Sequence, residues 1–141
     1  MAVVYMPSAA LSQLEHMVRA GYPLETCGLL VGRNGNSGIQ VRQVTQARNL
    51  SEARAHDRYE LDPGDFLVTD ERARADGLEI VGVWHSHPDH PAHPSETDRE
   101  AAWEGWSYVI VSVTRDGIAD VRAWRLSSNQ FVEDPIERCQ P

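Results

Sequence analysis

Three of the chain's eight prolines, Pro88, Pro91 and Pro94, fall within seven residues, and neither a helix interior nor a central strand runs through such a stretch. Whatever precedes it must finish there, and whatever follows must start afresh. On the near side, residues 78–87 alternate apolar side chains, as a strand entering a core does. On the far side, Ser95 opens a helical pattern reaching about residue 103. The chain is thereby committed to a strand–loop–helix unit that turns at His85-Ser86-His87-Pro88.

The other segments arrange themselves around that unit. Residues 3–6 are β-prone and closed by Pro7; Ser8 reads as the cap of a helix with Leu11, Leu14 and Val18 on one face and Gly21 as its stop. Residues 27–31 form an apolar run between Gly28 and Gly32, and Asn34-Gly35-Asn36-Ser37-Gly38 turns it onto a partner strand at 39–44. A short strand at 58–61 precedes a helix capped by Asp62, with Pro63 at its first position and Gly77 as its end. Strands at 108–114 and 118–126 are joined by Arg115-Asp116-Gly117. This order predicts an α/β (α+β) class with a mixed, largely antiparallel β-sheet flanked by helices. The 141 residues fit one domain over 1–135 and a polar C-terminal tail over 136–141, with Cys139 in that tail.

Charge narrows the partners. The net charge is -8 and no Lys/Arg cluster interrupts it, which disfavours nucleic acid and an anionic membrane. No apolar run approaches the roughly 20 residues of a membrane span, and residues 1–10 lack a signal-peptide pattern. Cys27 and Cys139 stand in no metal-binding spacing, so a cytoplasmic protein with reduced thiols is expected.

Side chains two apart on a strand share a face, so His85 and His87 project together, with Cα atoms about 6.5 Å apart. Two imidazoles so placed can converge on one metal ion. Ser95 and Asp98 lie three apart at a helix start and look back toward the loop. Asp98 can add an oxygen ligand and leave a fourth position for water, although S-x-x-D is also a capping pattern. The loop offers Asp89, His90 and His93 as rivals, and spacing leaves the choice between His93 and Asp98 open.

The pattern H-S-H-P, a loop through Pro94, then S-x-x-D resembles the JAMM motif of the JAB/MPN metallopeptidases. Glu25-Thr26-Cys27-Gly28-Leu29-Leu30-Val31-Gly32 is similar to that family's glutamate-bearing first strand, and Asn49, Arg58-Tyr59 and Leu61-Asp62-Pro63 resemble its short bacterial members. The resemblance spans nearly the whole chain and implies a cytidine-deaminase-like MPN fold. It further implies Zn²⁺ held by His85, His87 and Asp98, Glu25 as general acid/base and Ser95 as hydroxyl donor to an oxyanion. The implied substrate is a ubiquitin-like sulfur-carrier protein, cut at a C-terminal peptide or isopeptide bond, as in the sulfur-carrier-protein–cysteine peptidases. An inactive MPN scaffold with a structural zinc, or a peptidase on other peptides, is the alternative; homodimerisation is left open. Trp84, Trp103 and Trp106 are expected to pack, Cys27 to be a buried strand residue, and His90 and His93 to be exposed.

Overall fold

The computed structural model describes residues 2–51 and 59–139. In chain order the elements are β1 (Val3–Pro7), α1 (Ser8–Gly21), β2 (Cys27–Asn34), β3 (Gly38–Ala47), α2 (Pro63–Ala75), β4 (Glu79–Pro88), α3 (Glu96–Ala101), β5 (Ser107–Thr114), β6 (Gly117–Ser127), β7 (Gln130–Asp134) and β8 (Ile136–Cys139). The strands make one sheet in the order β7-β6-β5-β4-β2-β3-β1-β8. Pairings β2–β3, β2–β4, β5–β6 and β6–β7 are antiparallel, and β1–β3, β1–β8 and β4–β5 are parallel. The expected mixed, largely antiparallel sheet with flanking helices is what forms. No helix among the described residues is long and apolar enough to cross a membrane.

Each face of the sheet has its own core. On one, α1 lays Ala10, Leu11, Leu14 and Val18 over Val4, Met6, Val81, Trp84 and Val109. A buried aliphatic side chain of this kind contributes about 1.5–3 kcal/mol. On the other face, Leu29, Ile80, Val83, Tyr108, Ile110 and Trp124 cluster, with Tyr59, Phe66 and Trp106 packed against them. The central strand β4 is buried on both sides and shifts register against β2 between Leu30 and Val31. That irregularity resets the alternation, so Val83, His85 and His87 follow one another on the second face.

Local chemistry explains most boundaries. Asp62 caps α2 through Oδ1, which accepts from the Gly64 N–H at 2.9 Å, and Pro63 occupies the first turn. Gly77 ends that segment with a φ of +71°, the left-handed conformation glycine adopts without strain. Several expectations need correction. Ser8 is the first helical residue, not the cap: Pro7 leads directly from β1 into α1, and no side chain caps it. The helix from Ser95 is shorter than expected, because the backbone is already extended at Ala102. Residues 136–139, expected as part of a polar tail, form β8, which pairs with backbone groups that β1 would otherwise expose at the sheet edge. Of the short strand expected at 58–61, Arg58 lies outside the described residues, and Leu61 makes only an isolated bridge to Asn49.

Trp84 shows why β2 begins as it does. Its indole N–H crosses β2 to donate to the Thr45 carbonyl of β3 at 2.8 Å. The crossing runs over Gly28, where an added Cβ would overlap both that carbonyl and the indole. Gly28→Ala is therefore expected to destabilise the fold by about 1–3 kcal/mol, read as a lowered urea midpoint at unchanged slope.

Candidate metal centre

Antiparallel pairing sets Cys27 of β2 opposite His85 of β4. Continuing the register two residues beyond the ladder brings Glu25 beside His87. Ser86 keeps the strands together there: its N–H donates to the Thr26 carbonyl at 3.0 Å, and its Oγ accepts from the Thr26 N–H at 2.9 Å. Glu25, His85 and His87 each offer one ligand atom within 4.8 Å of the others. Glu25 is 6% exposed and His85 1%.

From the far side of the proline-rich loop, α3 delivers Asp98. Ser95 caps this helix in a reciprocal box: Ser95 Oγ accepts from the Asp98 N–H at 3.0 Å, and Asp98 Oδ2 accepts from the Ser95 N–H at 2.8 Å. Asp98 Oδ1 lies 3.3 Å from His85 Nε2, and Oδ2 lies 3.2 Å from His87 Nε2. The two Nε2 atoms are 3.2 Å apart.

These distances suit either a shared metal ion or shared protons. Ligands at 2.0–2.1 Å on a tetrahedral zinc ion are separated by about 3.3 Å, the spacing of these donor atoms. His87 Nδ1 donates to the Pro91 carbonyl at 2.8 Å, which leaves Nε2 of the neutral ring as a bare lone pair. A carboxylate and imidazole lone pairs pointed at one spot need a cation there, or a proton shared among them. The donor set is thus compatible with a metal ion, and Glu25 brings a carboxylate oxygen within 4.8 Å of both imidazole donors.

Electrostatics follow from the same cluster. Burial tends to raise the pKa of Asp98, but the two imidazoles and the Ser95 N–H outweigh it and hold the carboxyl far below the usual range. Burial prevails at His85 and lowers its pKa against the pull of Asp98. At His87 burial also lowers the pKa, yet Asp98 and the Pro91 carbonyl outweigh it, and the net shift is upward.

The centre opens into a cavity of ~940 Å³ that runs from Glu25, His87 and Asp98 to the apolar Phe66, Trp103 and Trp106. Ser95, exposed at the tip of α3, and His90 and His93 also line it. His93, the sequence rival to Asp98, instead packs against Trp124 at a ring separation of 5.4 Å. Trp84 is buried as expected, but Trp103 is 71% exposed, because the chain has already left α3 when it reaches that residue. Cys27 is fully buried; its Sγ faces the Ala47 and Arg48 carbonyls at 3.9 Å, and burial, with Glu25 and Asp65, pushes its thiol up to about 12.

Sequence reasoning assigned no role to two neighbours of the centre. Tyr59 stacks on His85 at 4.4 Å between centroids and 23° between planes. The Asn49 side chain donates to the Glu25 carbonyl at 3.1 Å. Both come from the segment between β3 and α2, whose only sequence signal is the similarity to short bacterial family members.

Comparison with known proteins places the chain among relatives. The chain is 39% identical over 105 residues to a desampylase from Haloferax volcanii, covering 72% of this chain and 70% of that protein. It is 31% identical over 120 residues to the CysO-cysteine peptidase of Mycobacterium tuberculosis, covering 84% and 79%. A protein from Desulfitobacterium hafniense, solved in solution, superposes with a TM-score of 0.87 at 25% identity, over 98% of this chain and 94% of that one. Residues 7–127 match the family model described as prokaryotic homologs of the JAB domain, and the chain belongs to that family.

Proposed function

We propose that this protein is a zinc-dependent peptidase that hydrolyses the peptide or isopeptide bond at the C-terminus of a ubiquitin-like sulfur-carrier protein. The observation that carries this reading is the near-tetrahedral spacing of His85 Nε2, His87 Nε2 and the Asp98 carboxylate, with a Glu25 carboxylate oxygen within 4.8 Å of both imidazole donors. The relatives named desampylase and CysO-cysteine peptidase support the substrate class.

In this reading His85, His87 and Asp98 are the ligands, and the Pro91 carbonyl fixes the ring and tautomer of His87. The chemistry such an ion supplies when bound is Lewis-acid activation of water and of the scissile carbonyl. Glu25 takes a proton from the attacking water as the new C–O bond forms, then passes it to the amine nitrogen as the C–N bond breaks. Ser95 Oγ uses a lone pair on the Asp98 N–H and keeps its own hydrogen for the oxyanion. The cavity receives the carrier's flexible Gly-Gly tail, laid out by strand-like pairing. The free thiols of Cys27 and Cys139 fit a reducing, cytoplasmic setting.

The test joins metal analysis to cleavage of a ubiquitin-like carrier whose Gly-Gly tail is amide-linked to cysteine. The wild-type protein is expected to bind one zinc and release the cysteine. Glu25→Gln should keep its zinc and lose cleavage; full activity in that variant would remove Glu25 from its role. Stoichiometric zinc without cleavage of any ubiquitin-like fusion would favour the inactive scaffold.

Ser95→Ala is expected to lower kcat about 10²–10³-fold with zinc retained, measured on the same substrate. Asp98→Ala should lose zinc in a competition titration whereas His93→Ala keeps it, and the opposite pattern would overturn the ligand set. With a pKa near 12 the Cys27 thiol stays protonated at pH 8, so iodoacetamide is expected to leave the cleavage rate unchanged.

A further inference from the structure

Glu25 precedes the first residue of β2, so no regular ladder holds it, yet the proposed reaction needs its carboxylate placed to a fraction of an ångström. The peptide unit between Glu25 and Thr26 is gripped at both ends by side chains. Its carbonyl accepts from Asn49 Nδ2 at 3.1 Å, and its N–H donates to Ser86 Oγ at 2.9 Å. We propose that Asn49 and Ser86 are positioning residues that clamp this one peptide plane and thereby set the reach of Glu25 toward the histidines. The proposal rests on the reading of Glu25 as the base.

A peptide plane can tilt about the line joining its two Cα atoms, and such a tilt swings the Glu25 side chain. In a trans peptide the C=O and N–H lie in the plane and point to opposite sides of that line, so a tilt in either sense stretches both hydrogen bonds. The clamp is itself anchored. Asn49 Oδ1 accepts from the Ser51 N–H at 3.0 Å and the Glu60 N–H at 2.8 Å, and Asn49 bridges to Leu61. Ser86 is fully buried between the two histidines, and its N–H holds the Thr26 carbonyl. One jaw therefore comes from the segment beyond β3 and the other from β4, the strands on either side of β2. Asn49 and Ser86 meet main-chain atoms of Glu25 and Thr26, so the clamp acts on the reaction through the placement of Glu25.

Two substitutions open the clamp, one at each jaw. Asn49→Asp removes the donor to Glu25 and keeps an acceptor for the Ser51 and Glu60 amides. Ser86→Ala removes Oγ and keeps the main-chain bond to Thr26. Zinc-loaded protein is assayed on the cysteine-tailed carrier, alone and in the Glu25→Gln background, with amide hydrogen exchange at Thr26 followed in parallel. Each substitution is expected to lower kcat between roughly 10- and 100-fold, with KM and bound zinc unchanged and faster exchange at Thr26. In the Glu25→Gln background neither should lower the residual rate further, which a general loss of structure would do. Unchanged kcat in both variants, the same loss with Gln at position 25, or loss of zinc would each overturn the clamp. Should Ser86→Ala not fold, Asn49→Asp carries the test. A wild-type protein that cleaves nothing strikes the parent reading, whereas an active wild type with equally active variants strikes only the clamp.

Discussion

The antiparallel pairing of β2 with β4 is the constraint on which the rest of the centre depends. It sets Cys27 against His85 and carries the strands far enough past the ladder for Glu25 to come alongside His87. Strand registers are quantised, and a slip of one residue would turn the histidines to the α1 side, against Leu14 and Val18. Several features guard against the slip. Trp84 threads over Gly28 to reach Thr45, a fit available in one register only. Ser86 and Thr26 then close the strand ends with three hydrogen bonds.

A cluster of a carboxylate and two imidazoles held within about 3.3 Å is costly to fold unless something satisfies it. The protein limits that cost by choosing groups whose charges oppose and by supplying fixed donors. Asp98 takes the Ser95 N–H as well as facing both rings. His87 is tethered to Pro91, and Tyr59 covers the face of His85. Under the proposed function, a cation entering the cluster would meet side chains already oriented, so little of its binding energy would go into ordering them.

How much of this was legible in the sequence depended on how local the cause was. Asp62 and Pro63 announce the start of α2 because cap and first-turn chemistry lie within three residues. The convergence of His85 and His87 follows from strand parity, and Ser95 with Asp98 from the geometry of one helical turn. Spacing alone left His93 level with Asp98; the packing of His93 on Trp124, thirty-one residues away, separates them. Glu25 carried no local signal at all, since its approach to the histidines depends on pairing across sixty residues. Asn49 and Tyr59 were hidden likewise, since each meets the centre from a segment more than twenty residues away. Ser8 and the tail misled for the opposite reason: a good capping residue and a polar composition were overridden by the strand running into α1 and by the open edge of β1.

The shared oxygen of Asp98 ties the order of α3 to the state of the centre. Oδ2 closes the capping box at the Ser95 N–H while it faces His87. A helix of six residues is too short to persist on nucleation and propagation alone, so α3 borrows its order from what its cap residue holds. By linkage, any ion that prefers the folded centre over its unfolded parts must also stiffen the first turn of α3. Arg99 extends that stiffness outward, bonding Asn129 in the turn between β6 and β7. One carboxylate oxygen thereby couples the buried cluster, the cap of a surface helix and, through Arg99, the hairpin beside it.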